Sequence, residues 1–370
     1  MRDSHRTVRA IEFYSGIGGL HLALHRSGIP AATIVTAYDW DQTTCQVYAE
    51  NFGADIVRRT DIATLTAADI SRLNADLWLL SPSCQPYTVL NPLAKGASDP
   101  RAQSFLHLID NVLPEMSAHD MHPRRLLVEN VAGFQNSSTR HHLVSTLQRL
   151  GYATAEFALN PLQFGIPNSR LRYYLLAKLS PLKFVGLESV KSGHLLDYIP
   201  PHHGHPQQTL DTTAVDLRHY IDSTMVEETL THFRIPDRVL NKWGRLFDIV
   251  LPSGTRSCCF TRGYTRLVER AGSILQMNED LDTTQVFDQF LSARANGDEN
   301  AVRILDPLRL RYFTPAELLR IFHFSDTDTS TVNFTWPPGV STKSKYRLIG
   351  NSVNVEVVRR LIVYLFADIL

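Results

Sequence analysis

The chain has 370 residues, 44% hydrophobic and 20% charged, an ordinary balance for a soluble globular protein of about two domains. With 37 basic and 37 acidic residues its formal charge is zero, so it is no general coat for duplex nucleic acid, and any such contact rests on local patches. Four dispersed cysteines lack zinc-like spacing, no apolar run approaches the ~20 residues of a membrane span, and the N-terminus carries no signal-type stretch; these predict a metal-free soluble protein of cytosol or nucleus.

Val8 to Tyr14 predicts a strand, followed by a helix from Leu20 to Ser27 closed by Gly28 and Pro30. Thr33 to Asp39 predicts a second strand, and Gln42 to Asn51 a helix. Asp76 to Leu80 and Leu126 to Glu129 read as short buried strands. A helix from Ala102 to Leu113 lies between them, with Pro114 expected to stop it. Thr139 to Leu150 predicts a helix and Leu171 to Leu179 a strand. The alternation implies a mainly parallel sheet with helices on both faces, an α/β fold.

After Pro181 the alternation weakens. His-rich and turn-forming stretches appear, such as Pro200 to Pro206, and the polar stretch Ala293 to Asn300 reads as a mobile loop. The expected organisation is a first catalytic part over 1–182, a small target-recognition domain over 183–305, and a return to the first domain over 306–370. In that return Val353, Val357, Val358, Leu361, Ile362 and Leu365 keep helical spacing.

Phe13-Tyr14-Ser15-Gly16-Ile17-Gly18-Gly19 follows the first strand and opens a helix. Glycines there allow a tight turn and close approach of a ligand. Asp39 ends the next strand about 20 residues on, where a carboxylate holds ribose hydroxyls. The order Gly-x-Gly-Gly favours a nucleoside without a pyrophosphate, such as S-adenosylmethionine, over NAD. Asp61 follows the third-strand region and suits either an adenine amino group or a helix N-cap.

Leu77-Trp78-Leu79-Leu80 runs into Ser81-Pro82-Ser83-Cys84-Gln85-Pro86-Tyr87-Thr88. Cys84 thus sits beyond the carboxyl end of a strand, where open α/β sheets place their chemistry. Prolines stiffen the loop, and its setting is wrong for a thiol that serves only as a small core hydrophobe.

This loop resembles the Pro-Cys-Gln motif of cytosine-C5 methyltransferases, and the glycine turn resembles their cofactor motif. The resemblance continues in order through Glu129-Asn130-Val131, Ile166-Pro167-Asn168-Ser169-Arg170-Leu171-Arg172, Arg311 to Glu317 and Gly350-Asn351-Ser352-Val353. It covers nearly the whole chain. It implies a Rossmann-like class I methyltransferase fold using S-adenosylmethionine, with S-adenosylhomocysteine as product. It places the cofactor against Phe13, Tyr14, Ser15, Gly16, Ile17, Gly18, Gly19, Asp39, Trp40, Asp61, Ile62, Pro82, Asn351, Ser352 and Val353. Two positions depart from the pattern: Ser83 stands where proline usually precedes the cysteine, and Val89 where arginine often follows the threonine.

The chemistry explains the residue types. Carbon 5 of cytosine is a weak nucleophile until a thiolate adds at carbon 6 and makes the ring an enamine, the role expected of Cys84. Charge then develops at N3, where a carboxylic acid, Glu129, donates a proton or a strong hydrogen bond. Arg170 and Arg172 alternate with Leu171 and share one face of an extended segment, suited to the base carbonyl, a phosphate or the cysteine loop, with an ion-pair role open for one of them. The base must leave its stack, which is cheaper in a single-stranded loop.

Ser257-Cys258-Cys259-Phe260-Thr261-Arg262-Gly263-Tyr264 resembles the Cys-Phe-Thr signature of the branch that methylates cytosine 38 in the anticodon loop of aspartate tRNA. Asn241-Lys242-Trp243-Gly244 and Ser273 to Met277 resemble that branch too. Arg256, Arg262, Arg266 and Arg270 crowd the segment with Phe260 and Tyr264, a pattern suited to phosphates and unstacked bases. The expected substrate contacts are Gln85, Arg256, Cys259, Phe260, Thr261, Arg262 and Tyr264, in a monomeric enzyme acting on tRNA. The rival readings are a DNA cytosine-C5 methyltransferase and a catalytically silent tRNA-binding scaffold.

Overall fold

A computed structural model describes residues 7–87, 96–187, 193–202, 214–222, 231–325 and 334–368. Thr88, Val89 and residues 203–206 of the His-rich stretch lie outside that set. Eight strands form one sheet in the order β3-β2-β1-β4-β5-β7-β6-β8. They are β1 (Arg9–Phe13), β2 (Thr33–Asp39), β3 (Val57–Arg59), β4 (Leu77–Leu80), β5 (Arg125–Val131), β6 (Tyr152–Leu159), β7 (Arg172–Leu179) and β8 (Leu195–Leu196). The first five are mutually parallel, and β7 runs antiparallel between β5 and β6.

Strand parity builds two cores. Ile11, Phe13, Trp78, Leu80, Leu126 and Val128 face one layer; Ala10, Leu77, Leu79 and Leu127 face the other. Helices 103–118 and Ser138–Arg149 cover the first layer. Helices Gly19–Arg26, Gln42–Phe52 and Val355–Leu365 cover the second. The chain winds outward from β1 to β3, then returns to place β4 on β1's other side. The ends Phe13 and Leu80 stand level in the register. This switch point opens a crevice at the strands' carboxyl ends, between the glycine turn and the cysteine loop.

A second sheet, β11 (Leu310–Tyr312), β10 (Ile274–Gln276) and β9 (Ile249–Val250), packs with helix Thr283–Ala295 around Phe287, Phe290, Leu305 and Leu308. Three expectations change. The stretch from Ala293 starts as helix: Asp282 caps Thr283–Ala295, and the chain turns only at Gly297, φ 83°. Pro114 does not stop its helix, which runs on to Ala118. The turn before it, Leu108–Val112, is π-helical, and this wider pairing absorbs the donor that proline lacks. Strand β6, absent from the sequence reading, pairs with β7 over its full length.

Candidate active site

The glycine turn is held by backbone bonds and by lack of room. Ser15 N–H donates to the Tyr38 carbonyl at 3.0 Å, and Gly16 N–H donates to Asp39 Oδ2 at 3.0 Å. Gly16 and Gly18 have φ of 54° and 84°. A Cβ on Gly18 would fall 2.1 Å from the Phe52 ring, and one on Gly19 2.7 Å from Val353. The turn and the Ser352-Val353 segment are therefore fitted to each other. Burial pushes the Asp39 carboxyl above its ordinary range, against the amide bonds from Asp41 and Gly16. Next to it the Trp40 indole is 76% exposed.

Asp61 accepts from Ala63 N–H at 3.0 Å, capping the turn Ile62–Thr64, so its capping reading has a hydrogen bond behind it. Ile62 is packed in the core, and Asn351 is exposed. Ser15 Oγ is buried with no partner among the described residues. A buried orphan hydroxyl, an amide-held carboxylate and an open indole around a glycine turn fit a small cationic nucleoside such as S-adenosylmethionine.

Across the crevice, Ser81 N–H donates to the Phe13 carbonyl at 3.3 Å, tying the cysteine loop to β1. Buried Pro82 accepts from Asn130 Nδ2 at 3.2 Å. Tyr87 N–H donates to the Cys84 carbonyl at 3.0 Å. The Tyr87 hydroxyl donates to Thr139 Oγ1 at 3.1 Å, and its ring meets Phe134 edge-on at 4.8 Å. Gln85 accepts from Arg101, whose fork is set by Asp99. Glu129, near the end of β5, accepts from Ser81 Oγ at 2.7 Å and faces Arg172 Nε at 3.5 Å. Burial pushes the Cys84 thiol up; Arg172 and Arg170 pull it down, and Glu129 adds to the rise.

Arg170 and Arg172 both reach Cys259. Arg170 Nη1 lies 3.4 Å from its sulfur and Arg172 Nη2 3.7 Å. Arg170 is buried, and its two Nη atoms also donate to carbonyls: Phe260 at 2.9 Å, Gly350 at 3.1 Å, and Ser352. Asn168 Nδ2 donates to Ser257 Oγ at 3.2 Å and to the Cys258 carbonyl at 2.8 Å. The arginine motif, the Cys-Phe-Thr segment and the Gly350–Val353 segment thus form one junction.

The aromatic expectation is corrected. Phe260 is 0% and Tyr264 3% exposed, packed at 5.1 Å against each other, with Phe260 5.2 Å from Phe313. The Tyr264 hydroxyl donates to the Ser273 carbonyl at 2.8 Å and accepts from Phe313 N–H at 2.9 Å. Their rings are core and offer no face to a base. Arg256, Arg262, Arg266 and Arg270 are exposed, Arg256 facing Asp248 at 3.7 Å, and Thr261 is half-buried. The sequence reading did not single out Ser81, Asn130, Tyr87 or Arg101. Ser81 and Asn130 adjoin Pro82 and Glu129 in the motifs, which was the available signal. Among the described residues no cluster of His, Cys, Asp or Glu could hold a metal ion.

A mixed sheet of this order, with a cofactor turn after β1 and a thiol loop after β4 facing a carboxyl on β5, defines a class I methyltransferase of the cytosine-C5 type. Residues 8–366 match the family C-5 cytosine-specific DNA methylase, and the chain belongs to it. It is 38% identical over 360 residues to the Schizosaccharomyces pombe tRNA (cytosine(38)-C(5))-methyltransferase, covering 97% of each chain. It is 33% identical over 405 residues to the Homo sapiens protein of that name (97% and 99% covered), and 32% over 383 to a Dictyostelium discoideum DNA (cytosine-5)-methyltransferase (96% and 93%). Among solved structures, S. pombe Dnmt2 methyltransferase matches with TM-score 0.76 at 35% identity (98% and 99% covered), and Entamoeba histolytica methyltransferase EhMeth with 0.78 at 31% (99% and 100%).

Proposed function

We propose that this enzyme methylates carbon 5 of cytosine 38 in the anticodon loop of aspartate tRNA, through a covalent Cys84 adduct at carbon 6. The observation that carries the chemistry is the Glu129 carboxyl, fixed by Ser81 of the cysteine loop itself at 2.7 Å. The tRNA assignment is supported by identity of 33–38% along nearly the whole chain to relatives named for that reaction.

S-adenosylmethionine, when bound, supplies an electrophilic methyl group. The chain's residues do the rest. Asp39 and the Gly16 turn hold the nucleoside end, with Trp40 and Ser15 beside them. Cys84 adds its thiolate to carbon 6, and Glu129 donates at N3, so that the electron pair reaches carbon 5. Arg172 stands beside both and favours the thiolate. After transfer the carbon 5 proton leaves and the Cys84 sulfur is eliminated, restoring the aromatic ring and the free thiol. Exposed Arg256 and Arg262, next to the Cys259 junction, suit phosphates of a folded-out RNA loop.

The test is methyl transfer from labelled cofactor to aspartate tRNA and to duplex DNA, with bisulfite sequencing of the product. Cys84→Ala is expected to abolish transfer, and wild type to mark the anticodon-loop cytosine. Equal activity of the two proteins would sink the mechanism. Faster methylation of duplex DNA than of tRNA would favour the reading that the Dictyostelium relative's name suggests.

A further inference from the structure

The Cys259 sulfur lies between two guanidiniums, at 3.4 Å from Arg170 and 3.7 Å from Arg172, and does not touch the carboxyl that serves the reaction. Arg172 is divided. Its Nε faces Glu129 at 3.5 Å, its Nη2 faces Cys259, and its charge is the strongest attraction on the Cys84 thiolate. Cys259, Glu129 and Cys84 together hold its charge against burial. Arg170 adds little slack, because three backbone carbonyls also occupy it.

We propose that Cys259 is a positioning residue for the reaction: its sulfur competes with that of Cys84 for the Arg172 guanidinium and so governs when the nucleophile ionises. This rests on the reading of Cys84 as the nucleophile. Two thiols around one cation titrate as a coupled set, and a negative sulfur on one side screens the cation from the other. Burial opposes ionisation of both. At Cys259 the two arginines overcome it and hold the thiol below its ordinary range; at Cys84 they do not. Among the described residues, the charged groups facing Cys84 are Arg172 and Arg170, Glu129 from β5, and Arg101 from the turn Pro100–Ala102. Among the described residues, Arg170 and Arg172 face Cys259.

Removing the competing anion frees Arg172 and lowers the pH at which Cys84 ionises. The experiment is iodoacetamide labelling of the full chain across pH, with each cysteine followed by peptide mass spectrometry. In wild type, Cys259 should reach half-labelling at lower pH than Cys84. In Cys259→Ser, whose neutral hydroxyl still accepts from both guanidiniums, the Cys84 half-point should fall by about one pH unit. In Cys259→Asp, a fixed anion, it should not fall. The acidic limb of kcat/KM should move down with the Cys84 half-point in the serine variant. A Cys84 half-point unmoved in a Cys259→Ser protein that melts like wild type overturns the proposal. So does labelling of Cys84 before Cys259 in wild type, which needs no variant. Methyl transfer retained by Cys84→Ala would instead remove the nucleophile reading, while the half-points still report whether the thiols compete.

Discussion

Glu129 is held at both oxygens, by the Ser81 hydroxyl at 2.7 Å and by Arg172 at 3.5 Å. In the proposed mechanism that arrangement would hold the carboxyl in place, without reorganisation, as charge develops at N3. Glu129→Gln keeps the shape and removes the proton donor. It should lower kcat by about 10²- to 10³-fold, within the span of general acid catalysis, and leave tRNA affinity nearly unchanged. Ser81→Ala removes one hydrogen bond and leaves the acid in place; about a tenfold loss in kcat is expected. Single-turnover kinetics beside a binding isotherm separates the two effects. A Glu129→Gln protein with wild-type kcat would leave Glu129 a structural partner of Arg172.

Strand β1 and the helices behind it carry a buried acid to which the proposed mechanism gives no role. Glu12 is fully buried, with the Tyr48 hydroxyl 2.9 Å from its Oε2 and His21 N–H donating to Oε1 at 3.3 Å. Tyr48 lies 2.7 Å from His21 Nδ1. Burial raises the Glu12 carboxyl from 4.5 to about 8 and lowers the His21 imidazole to about 4. At neutral pH the set is a neutral relay, with protonated Glu12 bonded to Tyr48 and Tyr48 to neutral imidazole. Because the folded chain holds this proton more tightly than the unfolded one, its stabilising effect is complete below pH 4.5 and is lost as pH rises towards 8. His21, lowered from 6.5 to about 4, acts in the opposite sense below 6.5, so the net loss from this set falls between about 6.5 and 8. Glu12→Gln should therefore flatten the fall in Tm over that upper interval, read by thermal melts at several pH values.

This acid sits in a stretch read only as an apolar strand, and β6 shows the same limit more severely. Tyr152–Leu159 mixes alanines, Thr154 and Glu156, so its period-2 signal is weak. Glu156 is nevertheless buried, accepting from Arg140 Nε and from the Tyr173 hydroxyl at 2.6 Å each. Partners 16 and 17 residues distant in the chain are invisible to a local pattern. Of the strands that bear the site, β4 and β5 were legible as short apolar runs, Leu77–Leu80 before Ser81-Pro82 and Leu126–Val128 before Glu129, and β1 by the glycine turn that follows it. The glycine turn and Cys84 lie in the loops after β1 and β4, and Glu129 lies near the end of β5 itself. Phe260 and Tyr264 were misread because an arginine-aromatic pattern looks alike on a surface and over a core.

At the scale of the molecule, Arg170 joins segments that the chain order keeps far apart. It donates to Phe260 from the region of the second sheet, and to Gly350 and Ser352 before the C-terminal helix. Its guanidinium also lies 4.9 Å from the centre of the Phe322 ring. Around it the fit leaves no room: a Cβ on Gly350 would stand 2.3 Å from the Thr261 carbonyl carbon. Ser352 and Val353 in turn press on Gly19 of the glycine turn, so the junction reaches from the small sheet to the crevice beside that turn. Arg170→Lys keeps the charge but replaces a planar fork by a single ammonium, which cannot serve carbonyls in several directions. Losing two charge-assisted bonds from buried carbonyls should cost roughly 3 kcal/mol. Denaturant unfolding should show that loss, and calorimetry should show weaker S-adenosylmethionine binding in the same variant, because Ser352 and Val353 no longer brace the turn. Arg172→Lys, at the half-buried rim, should lose kcat with a much smaller fall in stability. An Arg170→Lys protein as stable as wild type, with intact cofactor affinity and depressed kcat, would place Arg170 at the reacting base and not at the junction.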